Sequence, residues 1–164
     1  MIKPFFSPGL WVLTFLMASF GGFAQTVEMV KWPRVAQILR QSSDTTYILN
    51  FWATWCKPCV AELPHFEQIG QEFANKKVKI VLISTDFAKE INSRVVPFVQ
   101  KQKLKNTVWL LNEPDANAWI DKISPKWSGA IPATLIFNNK RRKKSFFEQT
   151  LDSPRLRQEL TDFL

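Results

Sequence analysis

Asn50-Phe51-Trp52-Ala53-Thr54-Trp55-Cys56-Lys57-Pro58-Cys59-Val60-Ala61-Glu62-Leu63-Pro64 contains both cysteines of the 164-residue chain. The residues leading into it, Thr46 to Phe51, are β-branched, aromatic and nearly all apolar, the pattern of a strand buried on both faces. Beyond Pro58, the apolar residues Val60, Leu63, Phe66, Ile69 and Phe73 recur at three- and four-residue intervals. That spacing predicts a helix of about four turns reaching Phe73, with Pro64 as an internal kink. A Cys-x-x-Cys pair therefore stands where a buried strand turns into a helix.

This junction has chemical consequences. The first sulfur lies at a helix N-terminus, where unpaired amides and the macrodipole favour an anion. Free cysteine has a pKa of about 8.5, so a depression of about two units makes a small thiolate fraction the dominant form at neutral pH. Such a shift corresponds to about 2.7 kcal/mol, within reach of a helix terminus assisted by the neighbouring Lys57. Cys56 is thus the expected nucleophile, and Cys59, one turn inside, the expected resolving thiol. A purely structural role does not suit the pair, because closing a loop of about four residues gives only about 2 kcal/mol in the chain-entropy model. Glu62 follows Cys59 by three residues and shares its helical face. Two readings of it stand at this point: an ordinary exposed glutamate, or a partly buried carboxyl that moves the proton of Cys59.

Working outward, Pro33 to Arg40 predicts a short helix with Val35, Ile38 and Leu39 on one face. Val78 to Ser84 predicts a strand, followed by a helix carrying Ile91, Val95, Phe98 and Val99. Thr107 to Leu111 predicts another strand, and the segment around Trp119, Ile120 and Ile123 a helix. Ala133 to Phe137 and Lys143 to Phe147 flank Asn138-Asn139-Lys140 as a hairpin. A last helix begins at Pro154 with Ser153 as its cap. Strands alternating with helices imply an α/β fold: a mostly parallel sheet covered on both faces, ending in one antiparallel hairpin.

The N-terminus has the parts of a secretory signal: Lys3, an apolar run from Leu10 to Phe20, and small residues Gly22 and Ala24 at a cleavage point. Residues 1–24 are therefore expected to be a signal peptide and 25–164 a single extracytoplasmic domain, with an uncleaved N-terminal membrane anchor as the alternative. The apolar run is shorter than the roughly 20 residues of a bilayer span. The formal charge of +8 points to acidic partners or anionic lipid surfaces. Its densest run is Lys140-Arg141-Arg142-Lys143-Lys144, read either as a solvated hairpin tip or as a docking patch for an acidic partner or a membrane surface. A nucleic-acid partner is not expected, because no recognised binding motif is present.

The segment from Asn50 to Cys59 resembles the thioredoxin superfamily, and Glu62-Leu63-Pro64 is similar to its extracytoplasmic TlpA/ResA-like branch of thiol-disulfide oxidoreductases. The resemblance runs from Pro33 to the end of the chain. It implies a thioredoxin-like fold with a central mixed sheet and an extra strand-helix insert, here Thr107 to Ile123. It also implies that Ile131-Pro132 is a cis-proline site docking substrate, with Trp55, Lys57 and Pro58 completing the contact surface around the cysteines. Disulfides of exported proteins, apocytochromes among them, are the implied substrates, and a membrane electron donor the implied partner. The redox-active disulfide is the only cofactor implied. Two positions depart from the wider pattern: Asn50 occupies the place of a buried aspartate in cytoplasmic thioredoxins, and Ala133 replaces the commoner threonine.

Other chemistries fit the residues less well. A structural zinc site needs four ligands, and the chain has two cysteines and one histidine, His65. Copper(I) carriage suits thiolates, but the relatives that do this use a wider cysteine spacing and a distant histidine. Thiol peroxidases place a proline and a threonine just before the reacting cysteine, whereas this chain has Ala53-Thr54-Trp55. A binding module with an idle cysteine pair is the non-enzymatic alternative.

Overall fold

A computed structural model describes residues 26–164. The expected signal peptide lies outside the described residues. Six strands form one sheet: β1 (Val27–Val30), β2 (Thr46–Trp52), β3 (Val78–Ser84), β4 (Thr107–Leu111), β5 (Ala133–Asn138) and β6 (Lys143–Phe147). Their spatial order is β1-β4-β3-β2-β5-β6. The first four run parallel, and β5 runs antiparallel to both of its neighbours, β2 and β6. β2 is central and buried at every position, as its uninterrupted apolar run requires. This is a thioredoxin-like α/β fold with a central mixed sheet, helices on both faces and a strand-helix insertion.

Two apolar layers hold the helices to the sheet. On one face Trp52, Ile48 and Leu82 pack with Leu63 and Phe66 of α2 (Lys57–Glu72) and Leu160 of α5 (Ser153–Thr161). On the other, Phe51, Leu49 and Ile83 pack with Val35 of α1 (Trp32–Leu39) and with Trp119 and Trp127. The alternation of Phe51 and Trp52 to opposite faces is the strand's period of two. Helix α2 continues through Pro64, which withholds one amide donor without ending the run.

The structure corrects the sequence reading in five places. β1 was not anticipated: its four residues, Val-Glu-Met-Val, are too few to show alternation, and it gains its pairing from β4 at the sheet edge. The helix expected across Ile91 to Val99 is two pieces, a π turn at Ile91–Val95 and α3 (Val96–Gln102), preceded by a 3-10 turn at Ala88–Glu90. Pro97 explains the break, since a proline ring clashes with the carbonyl four residues earlier and the wider π turn relieves it. The segment around Trp119 contains only a 3-10 turn, Ala116–Ala118, and the single-turn α4 (Ile120–Ile123). Asn138 belongs to β5 rather than to the hairpin turn; it is buried, and its side-chain oxygen accepts from the Arg141 amide. The cap of α5 is Asp152, whose carboxylate accepts from the Arg155 amide at 2.9 Å. Ser153 instead points its hydroxyl to Gln68 and His65.

Candidate active site

The parallel strands β2 and β3 end at the same edge of the sheet, and the loop leaving β2 carries the cysteines there. Cys56 is the N-cap residue of α2, with an extended backbone (φ −85°, ψ 98°), and its sulfur accepts from the Cys59 amide at 3.3 Å. Cys56 and Cys59 form a disulfide with Cα atoms 5.3 Å apart. The two sulfurs are not equivalent: Cys59 is fully buried, whereas Cys56 is 6% exposed. An incoming thiolate or disulfide can approach only Cys56. Lys57 and Pro58 are exposed on the first turn of α2, and Trp55 is 58% exposed beside them.

Opposite the cysteines, the Ile131-Pro132 peptide bond is cis. The Ile131 carbonyl oxygen lies 3.7 Å from Cys56 Sγ. The chain thus presents a backbone carbonyl beside the Cys56 sulfur, from a loop entering β5.

Glu62 is buried rather than an ordinary exposed glutamate. It is 2% exposed, and both carboxylate oxygens accept hydrogen bonds: Oε1 from Asn50 Nδ2 at 2.8 Å and Oε2 from the Leu151 amide at 2.8 Å. Burial outweighs these two donors and pushes its pKa up from 4.5 to about 7. A carboxyl near that value gains or loses a proton in the neutral range, one helical turn past Cys59. A cleft of about 360 Å³ lined by Pro58, Glu62, His65, Leu151 and Arg155 opens toward it.

Asn50 has a role that sequence reading did not assign. It holds Glu62, and it also donates to Thr134 Oγ1 at 3.1 Å across the β2–β5 pairing. Its own side-chain oxygen is buried without a partner among the described residues. Asp86 was also missed. It is 3% exposed and accepts from the Thr54 amide (3.0 Å), the Thr54 hydroxyl (2.6 Å) and the Ser84 hydroxyl (2.8 Å). Its carboxylate therefore fixes the loop two residues before Cys56. The available signal was its place just beyond the C-terminal end of a parallel strand, where sites in such sheets collect.

A second cavity of about 310 Å³ adjoins the disulfide, lined by Trp55, Phe87, Trp119, Trp127 and Ile131. Trp55 and Ile131 border it on the disulfide side, while Trp119 comes from the insertion. His65 is half-buried on α2, with Nδ1 3.0 Å from Ser153 Oγ. Among the described residues, no group of three or more His, Cys, Asp or Glu side chains is arranged to hold a metal ion. No helix among them is long and apolar enough to cross a membrane. The basic run occupies the far end of β5 from Pro132, where Arg141 pairs with Asp44 at 3.0 Å and Lys143 Nζ donates to the Asp162 carbonyl.

Comparison with known proteins agrees with this geometry. The AhpC/TSA family model matches residues 31–142. Thioredoxin-like protein YneN of Bacillus subtilis (strain 168) is 28% identical over 122 residues, covering 74% of this chain and 67% of that protein. Thiol-disulfide oxidoreductase ResA of Oceanobacillus iheyensis is 51% identical over 39 residues, which is 24% of this chain and 20% of the relative. This chain thus matches only a fifth of that relative's length. The crystal structure of a thioredoxin-related protein from Neisseria meningitidis serogroup B superposes with a TM-score of 0.63 at 21% identity, covering 76% of this chain and 89% of the other. That likeness concerns the fold. With the family model spanning most of the chain and the cysteine pair at the head of α2, the chain belongs to the AhpC/TSA family, as a thioredoxin-fold domain whose Cys56–Cys59 pair is suited to disulfide chemistry.

Proposed function

We propose that this protein is an extracytoplasmic thiol-disulfide oxidoreductase that reduces disulfides of exported proteins, apocytochromes among them. The observation that carries the reading is the arrangement of three parts: a cysteine pair with Cys56 slightly exposed and Cys59 fully buried, a backbone carbonyl beside the outer sulfur, and a buried carboxyl poised near neutral pH one turn below.

In the reducing direction, the Cys56 thiolate attacks one sulfur of a substrate disulfide. A Cys56–substrate disulfide forms and the first substrate thiolate leaves. Glu62, as carboxylate, takes the proton of the Cys59 thiol. The Cys59 thiolate then attacks Cys56 Sγ, the mixed disulfide breaks, and the second substrate thiolate departs. Two electrons have passed to the substrate, whose two sulfurs take up two protons, and Cys56–Cys59 is left oxidised. The Ile131 carbonyl and cis-Pro132, with Trp55, Lys57 and Pro58, receive the substrate backbone around its disulfide. Residues 1–24 direct export, a membrane electron donor restores the dithiol, and the basic hairpin tip meets anionic lipid or an acidic partner.

The test is the equilibrium of the Cys56–Cys59 pair against dithiothreitol and glutathione buffers, combined with insulin reduction. A potential near about −270 mV fits a reductant, and one near about −120 mV a disulfide donor. Cys56→Ser should abolish insulin reduction, and full activity in that variant would overturn the mechanism.

A further inference from the structure

Glu148 lies just beyond β6, half-buried, and the proposed chemistry gives it no task. Its carboxylate accepts from three donors on one short loop. Oε2 takes the Ser128 amide at 3.1 Å, and Oε1 takes the Ala130 amide at 3.1 Å together with the Ser128 hydroxyl. Gly129, between them, has φ +96°, a left-handed conformation open to glycine at little cost. From the other side, Trp127 Nε1 donates to the Ala130 carbonyl at 2.7 Å. The Trp127 ring is itself packed 4.7 Å from Phe51 and 5.8 Å from Phe146. The next residue is Ile131, whose carbonyl faces Cys56 Sγ.

We infer that Glu148 is a positioning residue for substrate docking: its carboxylate clamps the loop Ser128–Ala130 and thereby sets the Ile131 backbone against Cys56. The inference rests on the oxidoreductase reading, which supplies the polypeptide substrate. An extended peptide held by main-chain hydrogen bonds needs the receiving backbone fixed in advance, since ordering a loop on binding lowers affinity. A substrate without a peptide strand makes no such demand. The Ser128 hydroxyl, then the two amides, keep the Glu148 carboxyl below its usual value, so the clamp is charged across the neutral range.

The test compares the full chain with Glu148→Gln and Glu148→Ala. Each variant should raise KM for insulin on the order of tenfold, the size of losing a charge-assisted hydrogen bond or two. The turnover number, the reduction potential and the rate of disulfide opening by dithiothreitol should stay within about twofold, a margin of under 0.5 kcal/mol. Hydrogen exchange at the Ser128 and Ala130 amides should quicken by a similar tenfold, while β5 keeps its protection. An unchanged KM, or a matching loss with dithiothreitol, overturns the inference. If the wild-type protein reduces no protein disulfide, the oxidoreductase reading fails first and the inference falls with it; a variant as active as an active wild type sinks the clamp alone.

Discussion

Asn50 donates to Glu62 across 2.8 Å, tying the centre of β2 to the second turn of α2. Where cytoplasmic thioredoxins carry an aspartate on this strand, an amide here supports a carboxyl that comes from the helix instead. The amide favours the ionised form of Glu62, and the Leu151 amide does so too, yet burial dominates and the carboxyl titrates near neutrality. The buried carboxyl near the cysteines thus comes from α2 here, and its pH range follows from desolvation.

The first consequence is thermodynamic and is read most simply in the oxidised protein, whose cysteines carry no proton. Between pH 4.5 and about 7, native Glu62 holds a proton that the unfolded chain has released. Stability should therefore fall as pH rises through this window, by about 3 kcal/mol in total. Urea unfolding at half-unit intervals from pH 4.5 to 8 measures the slope, and Glu62→Gln should flatten it. A wild-type slope equal to that of the variant contradicts the assignment.

Replacing the partner tests the same pair differently. Asn50→Asp puts a second carboxyl about where the amide donates, and two like charges that close cannot both form easily. The pair should then titrate in two coupled steps, the upper one above the wild-type value of about 7. Carboxyl carbon chemical shifts followed against pH report both steps. A single step at an unchanged position would show that the two side chains do not meet.

Asp86 offers a stability prediction away from the proton path. Its carboxylate satisfies the Thr54 amide, the Thr54 hydroxyl and the Ser84 hydroxyl at a buried site. Asp86→Ala should cost about 2–3 kcal/mol, because the amide loses its partner where water is scarce. Asp86→Asn, which keeps one acceptor oxygen, should cost less. Urea midpoints at constant slope give both values, and an alanine variant as stable as wild type would mean that the loop before Cys56 is held by other contacts.

How legible this was in the sequence depends on the range of each interaction. β2, β3 and β4 were readable to within a residue because each is a short run of mostly apolar residues rich in β-branched or aromatic side chains. Cys56 and Cys59 were readable from spacing and from their place between a strand and a helix. Glu62 was ambiguous because helical spacing fixes its face but not its burial, which depends on Leu151, 89 residues away. Asn50 and Glu148 act through contacts at least 12 residues distant that no local pattern marks, and Asp86, which holds Thr54 from 32 residues away, is marked only by its place just beyond β3. The cap of α5 was misread for a local reason: Asp152 and Ser153 are both good capping residues, and Ser153 is drawn into hydrogen bonds with α2.

The exposure difference between the two sulfurs yields a direct chemical prediction. Cys56 is slightly exposed and Cys59 fully buried, so under the proposed mechanism substrate enters through Cys56 and leaves when Cys59 attacks. In Cys59→Ser the attack cannot occur. Treated as the reduced single thiol with insulin, this variant should accumulate a one-to-one mixed disulfide through Cys56, visible by mass spectrometry and reversed by dithiothreitol. Cys56→Ser should form far less adduct, because its remaining thiol is buried and lies inside the helix rather than at the N-terminus that lowers a thiol pKa. Equal trapping by both variants would mean that α2 opens enough to expose Cys59, and the division into attacking and resolving sulfurs would have to be abandoned.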